Sequence, residues 1–490
     1  MNTHVQTQSS STPLESPFSK HTTSHLSAEM DVFEPATGAV LLRAPCATTA
    51  DAAQAIELAS ASQRAWAGTS FEARAAIMRR AAQIYQERQA DFVNWTVRES
   101  GSTAIKTGWE IDAAGEHISM AAALPMQPLG ELFPSSMPGR TNIWRRVPVG
   151  VVGVITPWNF PVLLALRSVA PALALGNSVL LKPDAQTSVS GGLMLAEVFR
   201  DAGLPDGVFQ VLPGGADIGS LLVEDPRVNM VSFTGSTAVG KRIGETCGRL
   251  LKKFSLELGG NNALVILDDA DVEKAASSGA WGAYLHQGQI CMQTGRHLVH
   301  RSIAQKYIEL LSSRAKKLRI GDPTKEGVEI GPLINQKQLD RLSGIVDRSV
   351  AQGAKIVTGG ERKGLFFEPT VLADVQPSSE AFVEELFGPV APVTIFDTDE
   401  EAAALVNLSP YGLSTAIHTK SIGRGMRMAE LIKVGMVHIN DQTVNNEFQV
   451  PFGGRGCSGN GGRTGGPINL EEFTETQWVS FTDSPIEYPF

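Results

Sequence analysis

Three observations predict an α/β chain built from two Rossmann-like, doubly wound lobes. Short β-branched runs alternate with helix-like segments, the alternation comes in two successive series, and 490 residues exceed what one small core organises. Hydrophobic content of 42% and charged content of 19% suit a soluble globular chain rather than a disordered one. The net charge of −9 argues against a nucleic-acid binder, which needs basic stripes against phosphate. No apolar run reaches the roughly 18–20 residues of a membrane helix, so no membrane partner is expected.

Taken in order, residues 1–28, "MNTHVQTQSSSTPLESPFSKHTTSHLSA", are rich in Ser, Thr and His and lack an apolar block. They read as a disordered arm, not a secretory signal. From about 50 to 120, "DAAQAIELASASQRAW" and "EARAAIMRRAAQIYQERQADFVNWTVRES" repeat apolar residues at helical spacing. "PMQPLGELFPSSMPGRTNIWRRVPVG" is broken by Pro and Gly and predicts an extended excursion. "VVGVITP", "SVLLKP", "VFQVLPG" and "VNMVSFTG" are the strands of the first lobe. "NALVIL", "RHLVH", "AKIVTGG", "PVTIF" and "STAIHT" are those of the second. The closing "EEFTETQWVSFTD" alternates like a strand that adds to a neighbouring sheet. Cys46, Cys247, Cys291 and Cys457 are scattered without C-x-x-C spacing, which predicts no disulfide frame, no metal site and a reducing cytoplasm.

Four short stretches carry chemistry. In "VSFTGSTAVGKRIGETC" a strand runs into Gly235-Ser236-Thr237 and then a helix, so Ser236 is either a plain N-cap or part of a phosphate cradle. In "ITPWNFPVLLALR", Asn159 is either a turn residue or an amide donor aimed at a developing oxyanion. Glu257 ends an apolar run before Gly259-Gly260; a carboxylate desolvated there has a raised pKa and serves as a general base. Cys291, in "HQGQICMQTGR", is a lone thiol in a polar loop, and Gly288 would let a ligand approach it. A lone cysteine is usually inert, but a thiolate attacks carbonyl carbon well.

Together "PWNFP", "LLKPDAQT", "FTGSTAVG", "LELGGNN", "GQIC", "EELFGPV" and "PFGG" resemble the aldehyde dehydrogenase superfamily, in its order, from about residue 30 onward. The spacing of Glu257 and Cys291 matches as well. The resemblance implies that Cys291 attacks an aldehyde to give a thiohemiacetal and then a thioester. Asn159 and the Cys291 amide would hold the oxyanion, and Glu257 would activate water. Lys182, counted with the catalytic group, and Glu385 would hold cofactor ribose hydroxyls, with Phe387 near the nicotinamide. Trp158 and Ser236 would lie by the pyrophosphate and adenosine, with Thr156, Pro157, Asp184, Gly215, Phe233, Gly235 and Leu258 completing the cofactor site. The implied division is a cofactor-binding lobe over 29–130 and 149–257, a catalytic lobe over 258–456, and a small β oligomerisation arm over 131–148 and 470–490 that joins a homodimer or homotetramer.

Two positions depart from the family pattern. Ala185 stands where relatives usually carry a glutamate, which removes a ribose acceptor and a repulsion against a 2′-phosphate. NAD is therefore expected, with NADP as the alternative. Thr464 replaces another common glutamate, with no catalytic consequence attached.

The implied substrate tunnel holds Phe160, Leu163, Leu164, Arg167, Tyr284, Ile290, Met292 and Phe452, an apolar and partly aromatic set. Such walls suit a flat hydrophobic aldehyde, and the chain looks most like the benzaldehyde branch. Arg167 reads three ways: a donor to a ring hydroxyl, a partner for an anionic tail, or a structural ion pair turned away. A carboxylated semialdehyde is the runner-up substrate. Three other readings compete: a CoA-acylating dehydrogenase, a Cys–His thiol hydrolase using His286 or His297, and a structural protein of the same fold that has lost catalysis.

Overall fold

The computed structural model describes residues 16–20 and 22–490. Its first large sheet has five parallel strands in the order Phe209–Val211, Ser178–Lys182, Val151–Ile155, Met230–Thr234, Lys253–Glu257. Its central strands are buried on both faces, as helices on either side require. Strand order reverses between Val151–Ile155 and Met230–Thr234, so the loops leaving these two strands flank a topological switch point.

The second sheet has seven strands, ordered Lys355–Thr358, Thr370–Ala373, Val390–Phe396, Thr294–His300, Asn262–Ile266, Ser414–His418, Met436–Ile439. All its pairings are parallel except that of Lys355–Thr358, an antiparallel edge. Two doubly wound lobes are thus present, with strands at each predicted run. Three further strands went unread. Thr370–Ala373 is only four residues long and follows Pro369, Met436–Ile439 is a half-buried edge, and Lys253–Glu257 carries two half-buried residues first. An N-terminal hairpin, Ala28–Phe33 with Val40–Cys46, was also unread.

The helical stretch resolves into Thr49–Ala67, Phe71–Glu87, Gln89–Ser100 and Ala104–Ala121. Gly101 ends the third with φ +68°, a left-handed conformation that glycine adopts without Cβ strain. The excursion after it forms a separate antiparallel sheet, Gly130–Phe133 with Arg140–Pro148, and Thr474–Thr482 pairs along the whole length of the latter.

The expected disordered arm is corrected in part: residues 1–15 and 21 lie outside the described residues, but the rest of it docks on the first lobe. Ser19 N–H donates to Glu197, a His25 ring nitrogen meets the Val211 carbonyl, and Phe18 and Leu26 pack on the core. The chain after residue 456 returns to the first sheet, where Leu258 N–H donates to Ser458 and Leu256 N–H to Asn460.

Candidate active site

Glu257 is the last residue of its strand in the first sheet, and five residues later Asn262 opens a strand of the second. The C-terminal edge of one sheet therefore faces the N-terminal edge of the other, and the candidate residues gather there. Cys291 lies three residues before the strand Thr294–His300. Its loop is pinned by Asn262, whose Nδ2 donates to the carbonyls of Cys291 (2.9 Å) and Gln293 (2.7 Å) while Oδ1 accepts from Ser414 N–H. A Cβ at Gly260 would lie 2.3 Å from the Cys291 carbonyl oxygen, so only glycine lets the two loops approach.

Burial pushes the Cys291 thiol up to about 12, although the residue keeps partial solvent access; the Arg167 charge pulls the other way, and Glu385 and Glu257 add to the rise. The Glu257 side chain is shut in, the residue 5% exposed, and neither carboxylate oxygen accepts a hydrogen bond among the described residues; the Gly454 amide lies near without forming one. Desolvation raises its pKa to about 8 against the opposing charges of Arg167 and Arg463. A carboxyl whose pKa lies just above neutrality, beside a thiol, can pass between its acid and base forms near working pH.

Asn159 leaves the switch-point strand through Thr156, Pro157 and Trp158. It is 3% exposed, and its Nδ2 donates to the Gln289 carbonyl at 2.9 Å, which fixes the amide toward the cysteine loop and leaves a second N–H to give. Lys182 ends the neighbouring strand; burial lowers its pKa, with Asp184 and Asp217 opposing. Asp184 caps the turn at Gln186 N–H and is pushed up by burial.

Ser236 caps the helix Thr237–Arg249 by accepting from Val239 N–H, so the N-cap alternative is realised, while the helix N-terminus still opens at the switch point. Gly215 opens the helix Ala216–Glu224, Phe233 lies against Gly235, and Leu258 packs on Gly240. Glu385 accepts from Gly260 N–H at 2.8 Å and burial pushes it up to about 7; Phe387 meets Trp158 edge-on at 5.5 Å.

A dinucleotide fits this ground. The buried Thr156 hydroxyl is without a hydrogen-bond partner among the described residues, a helix N-terminus opens beside it, and Gly259 leaves room that a Cβ would take from Glu385.

Phe160, Leu163, Leu164, Ile290, Met292 and Phe452 belong to one apolar cluster, and Cys291 packs against it. Tyr284 does not join them. It packs in the second lobe with Leu264, Ile266 and Tyr307, and its hydroxyl donates to Thr370, so its place on the tunnel wall is corrected. Gly288 is corrected too: at φ +69° a Cβ would strike the Gly388 carbonyl, so the chain's own backbone demands the glycine.

Arg167 is buried and forms no ion pair among the described residues; it donates to Asn446 Oδ1 at 3.0 Å and lies 4.2 Å over the Phe452 ring. Its charge reaches Glu257, Cys291 and His117, so it is not turned away. His286 meets Ser102 and His297 meets Tyr307; burial lowers both pKa values, which makes them weak bases, and neither hydrogen-bonds to Cys291 among the described residues, so the Cys–His reading loses its support. Sequence reasoning missed Asn262, Lys106 and Glu110, the last two being charges on a helix that looked ordinary.

The model of the aldehyde dehydrogenase family matches residues 21–479. The chain is 53% identical over 460 residues to a benzaldehyde dehydrogenase [NAD(+)] of Pseudomonas putida, covering 94% of each chain. It is 52% identical to a vanillin dehydrogenase of Amycolatopsis sp., again over 94% of each. Among solved structures, betaine aldehyde dehydrogenase from Staphylococcus aureus in complex with NAD+ superimposes with a TM-score of 0.91 at 33% identity, covering 94% of this chain and 92% of that one. An E. coli NADP dependent enzyme gives 0.90 at 34%, covering 93% and 95%. With its paired parallel sheets, its cysteine and glutamate at their junction and its match over almost the full length, the chain belongs to the aldehyde dehydrogenase family.

Proposed function

We propose that this chain oxidises aromatic aldehydes of the benzaldehyde type to carboxylic acids through an acyl-cysteine at Cys291. The observation that carries the substrate class is that Phe160, Leu163, Leu164, Ile290, Met292 and Phe452 all belong to the apolar cluster against which Cys291 packs. Aromatic rings gain most from such a surface, and relatives named for benzaldehyde and vanillin support it.

Cys291, which keeps partial solvent access, adds to the aldehyde carbon once its proton has passed to solvent water, and the carbonyl oxygen takes up negative charge. The free Nδ2 hydrogen of Asn159 and the Cys291 amide donate to that oxygen. A nicotinamide dinucleotide, when bound, supplies the hydride acceptor that turns the thiohemiacetal into a thioester. Glu257 takes a proton from water, whose oxygen attacks the acyl carbon; the carbon–sulfur bond breaks, and acid and free thiol result. A CoA-acylating route has no use for that base. Lys182 and Glu385 would hold the ribose hydroxyls, with Phe387 near the nicotinamide and Trp158 and Ser236 by the pyrophosphate and adenosine; Thr156, Pro157, Asp184, Gly215, Phe233, Gly235 and Leu258 would line the remaining length. NAD is the cofactor, and Ala185 leaves NADP tolerated. The cofactor lobe comprises 29–130 and 149–257, and the catalytic lobe 258–456. The chain works as a homodimer or homotetramer in a reducing cytoplasm.

A carboxylated aldehyde is the second reading, favoured by one observation: Arg167 Nε and Asn446 Nδ2 are both buried without an acceptor among the described residues. Aromatic, aliphatic and carboxylated aldehydes with NAD and with NADP, followed by nicotinamide absorbance, test both readings. Benzaldehyde-type substrates should give the highest kcat/KM, and a higher value for a short aliphatic aldehyde would reject the aromatic assignment. Arg167→Leu should cost a carboxylated or ring-hydroxylated aldehyde about tenfold more than benzaldehyde; equal losses would remove Arg167 from recognition.

A further inference from the structure

Behind the Asn159 turn lies a buried ion pair that the chemistry above does not use. Lys106 and Glu110 stand one turn apart on the helix Ala104–Ala121, both side chains fully buried, with Nζ 2.5 Å from Oε2. Taking two charges out of water is expensive, and an apolar pair of similar volume is often as stable, so such a pair calls for a reason beyond stability. Its remaining contacts converge on one place. Lys106 Nζ donates to the main-chain oxygen of Asn159 at 2.6 Å and stands 4.0 Å over the Phe160 ring. The second Glu110 oxygen accepts from Val162 N–H at 2.9 Å and Leu163 N–H at 3.3 Å. Those amides open the helix Pro161–Ala174, whose N-cap residue, Phe160, has no side chain able to cap it. Glu110 therefore supplies the cap from another helix, and Trp109 adds an edge contact to Phe160 at 5.9 Å.

The segment from Asn159 to Leu163 is thus gripped at its carbonyl end by a cation and at its amide end by the paired anion. Asn159 brings its amide to Gln289 from this backbone, so a shift of the carbonyl re-aims the side chain. We propose that Lys106 and Glu110 are positioning residues for the reaction, a buried clamp that holds the Asn159 amide where the oxyanion forms. The proposal rests on Asn159 being the oxyanion donor.

The test is the pre-steady-state burst of nicotinamide absorbance with benzaldehyde in a mutant cycle. Lys106→Met combined with Glu110→Gln removes both charges yet leaves the Gln oxygen to cap Val162 and Leu163. In the chain with Asn159, this pair of substitutions should slow the burst about 10- to 100-fold, with the KM for cofactor and the melting temperature nearly unchanged. In the Asn159→Ala background the same pair should cost less than about threefold. Equal slowing in both backgrounds would overturn the clamp while leaving the oxyanion assignment intact. An Asn159→Ala chain with a full burst would reject both. Should the double variant not fold, Lys106→Arg keeps the charge but displaces the donor. Its slowing should likewise appear only with Asn159 present, and a slowing independent of Asn159 would again overturn the proposal.

Discussion

Glu257 carries a raised pKa because its surroundings withhold what a carboxylate wants: neither oxygen accepts a hydrogen bond among the described residues, and the charges of Arg167 and Arg463 with the nearby Gly454 amide oppose the desolvation without overcoming it. The sign of the pH effect follows. The group is protonated at neutral pH and ionises through about 8, so thioester hydrolysis should quicken as pH rises through that value and level off above it. Glu257→Gln should abolish this limb and slow acid release about 10²- to 10⁴-fold, while the first hydride burst changes less. Single-turnover hydrolysis across pH 6–10 checks it; an unchanged limb in the variant would assign water activation elsewhere. Cys291, Glu257 and Asn159 were legible because each sits in a short motif of unusual composition. Tyr284 and Gly288 were misread because closeness in sequence to a cysteine does not say which face of the chain looks at it. Lys106 and Glu110 escaped notice because one turn of separation on a helix ordinarily marks a solvated pair; here the Phe160 ring over Lys106 and the helix Pro161–Ala174 packed on their own helix go with their full burial.

At the scale of elements, the site is made by loops at facing sheet edges. Strand–helix alternation made the two parallel sheets legible, and long β-branched runs such as "VVGVITP" and "NALVIL" fell on strands buried on both faces. The four-residue strand Thr370–Ala373 did not announce itself, since its pairing comes from Val390–Phe396 and Lys355–Thr358 rather than from a pattern of its own. The Gly259-Gly260 link joins the sheets and leaves no space at the cysteine loop. Gly260→Ala should push the Cys291 carbonyl and its Asn262 bond apart, with a loss of kcat of about 100-fold. Cofactor binding measured by fluorescence quenching should persist. Activity within threefold of the parent would show that the loop has slack the close approach denies.

For the whole molecule, the three-stranded sheet away from the lobes carries the proposed oligomerisation role. Gly130–Phe133 and most of Thr474–Thr482 are exposed while Arg140–Pro148 is mostly half-buried, and Leu132 (73%) and Trp478 (72%) are apolar and open to solvent. Edges of this kind are normally paired or covered. The strand Thr474–Thr482 completes the sheet through nine register pairs with Arg140–Pro148. Truncation after residue 470 should therefore yield monomer or aggregate on size-exclusion chromatography, and an intact active oligomer would contradict an oligomerisation role. The account as a whole stands on an acyl group carried by one sulfur atom. Intact-protein mass spectrometry of the Glu257→Gln chain, quenched after mixing with benzaldehyde and NAD, tests this most directly. The account predicts a benzoyl adduct that maps to Cys291 and is missing from Cys291→Ala; no adduct, together with full turnover by Cys291→Ala, would contradict it.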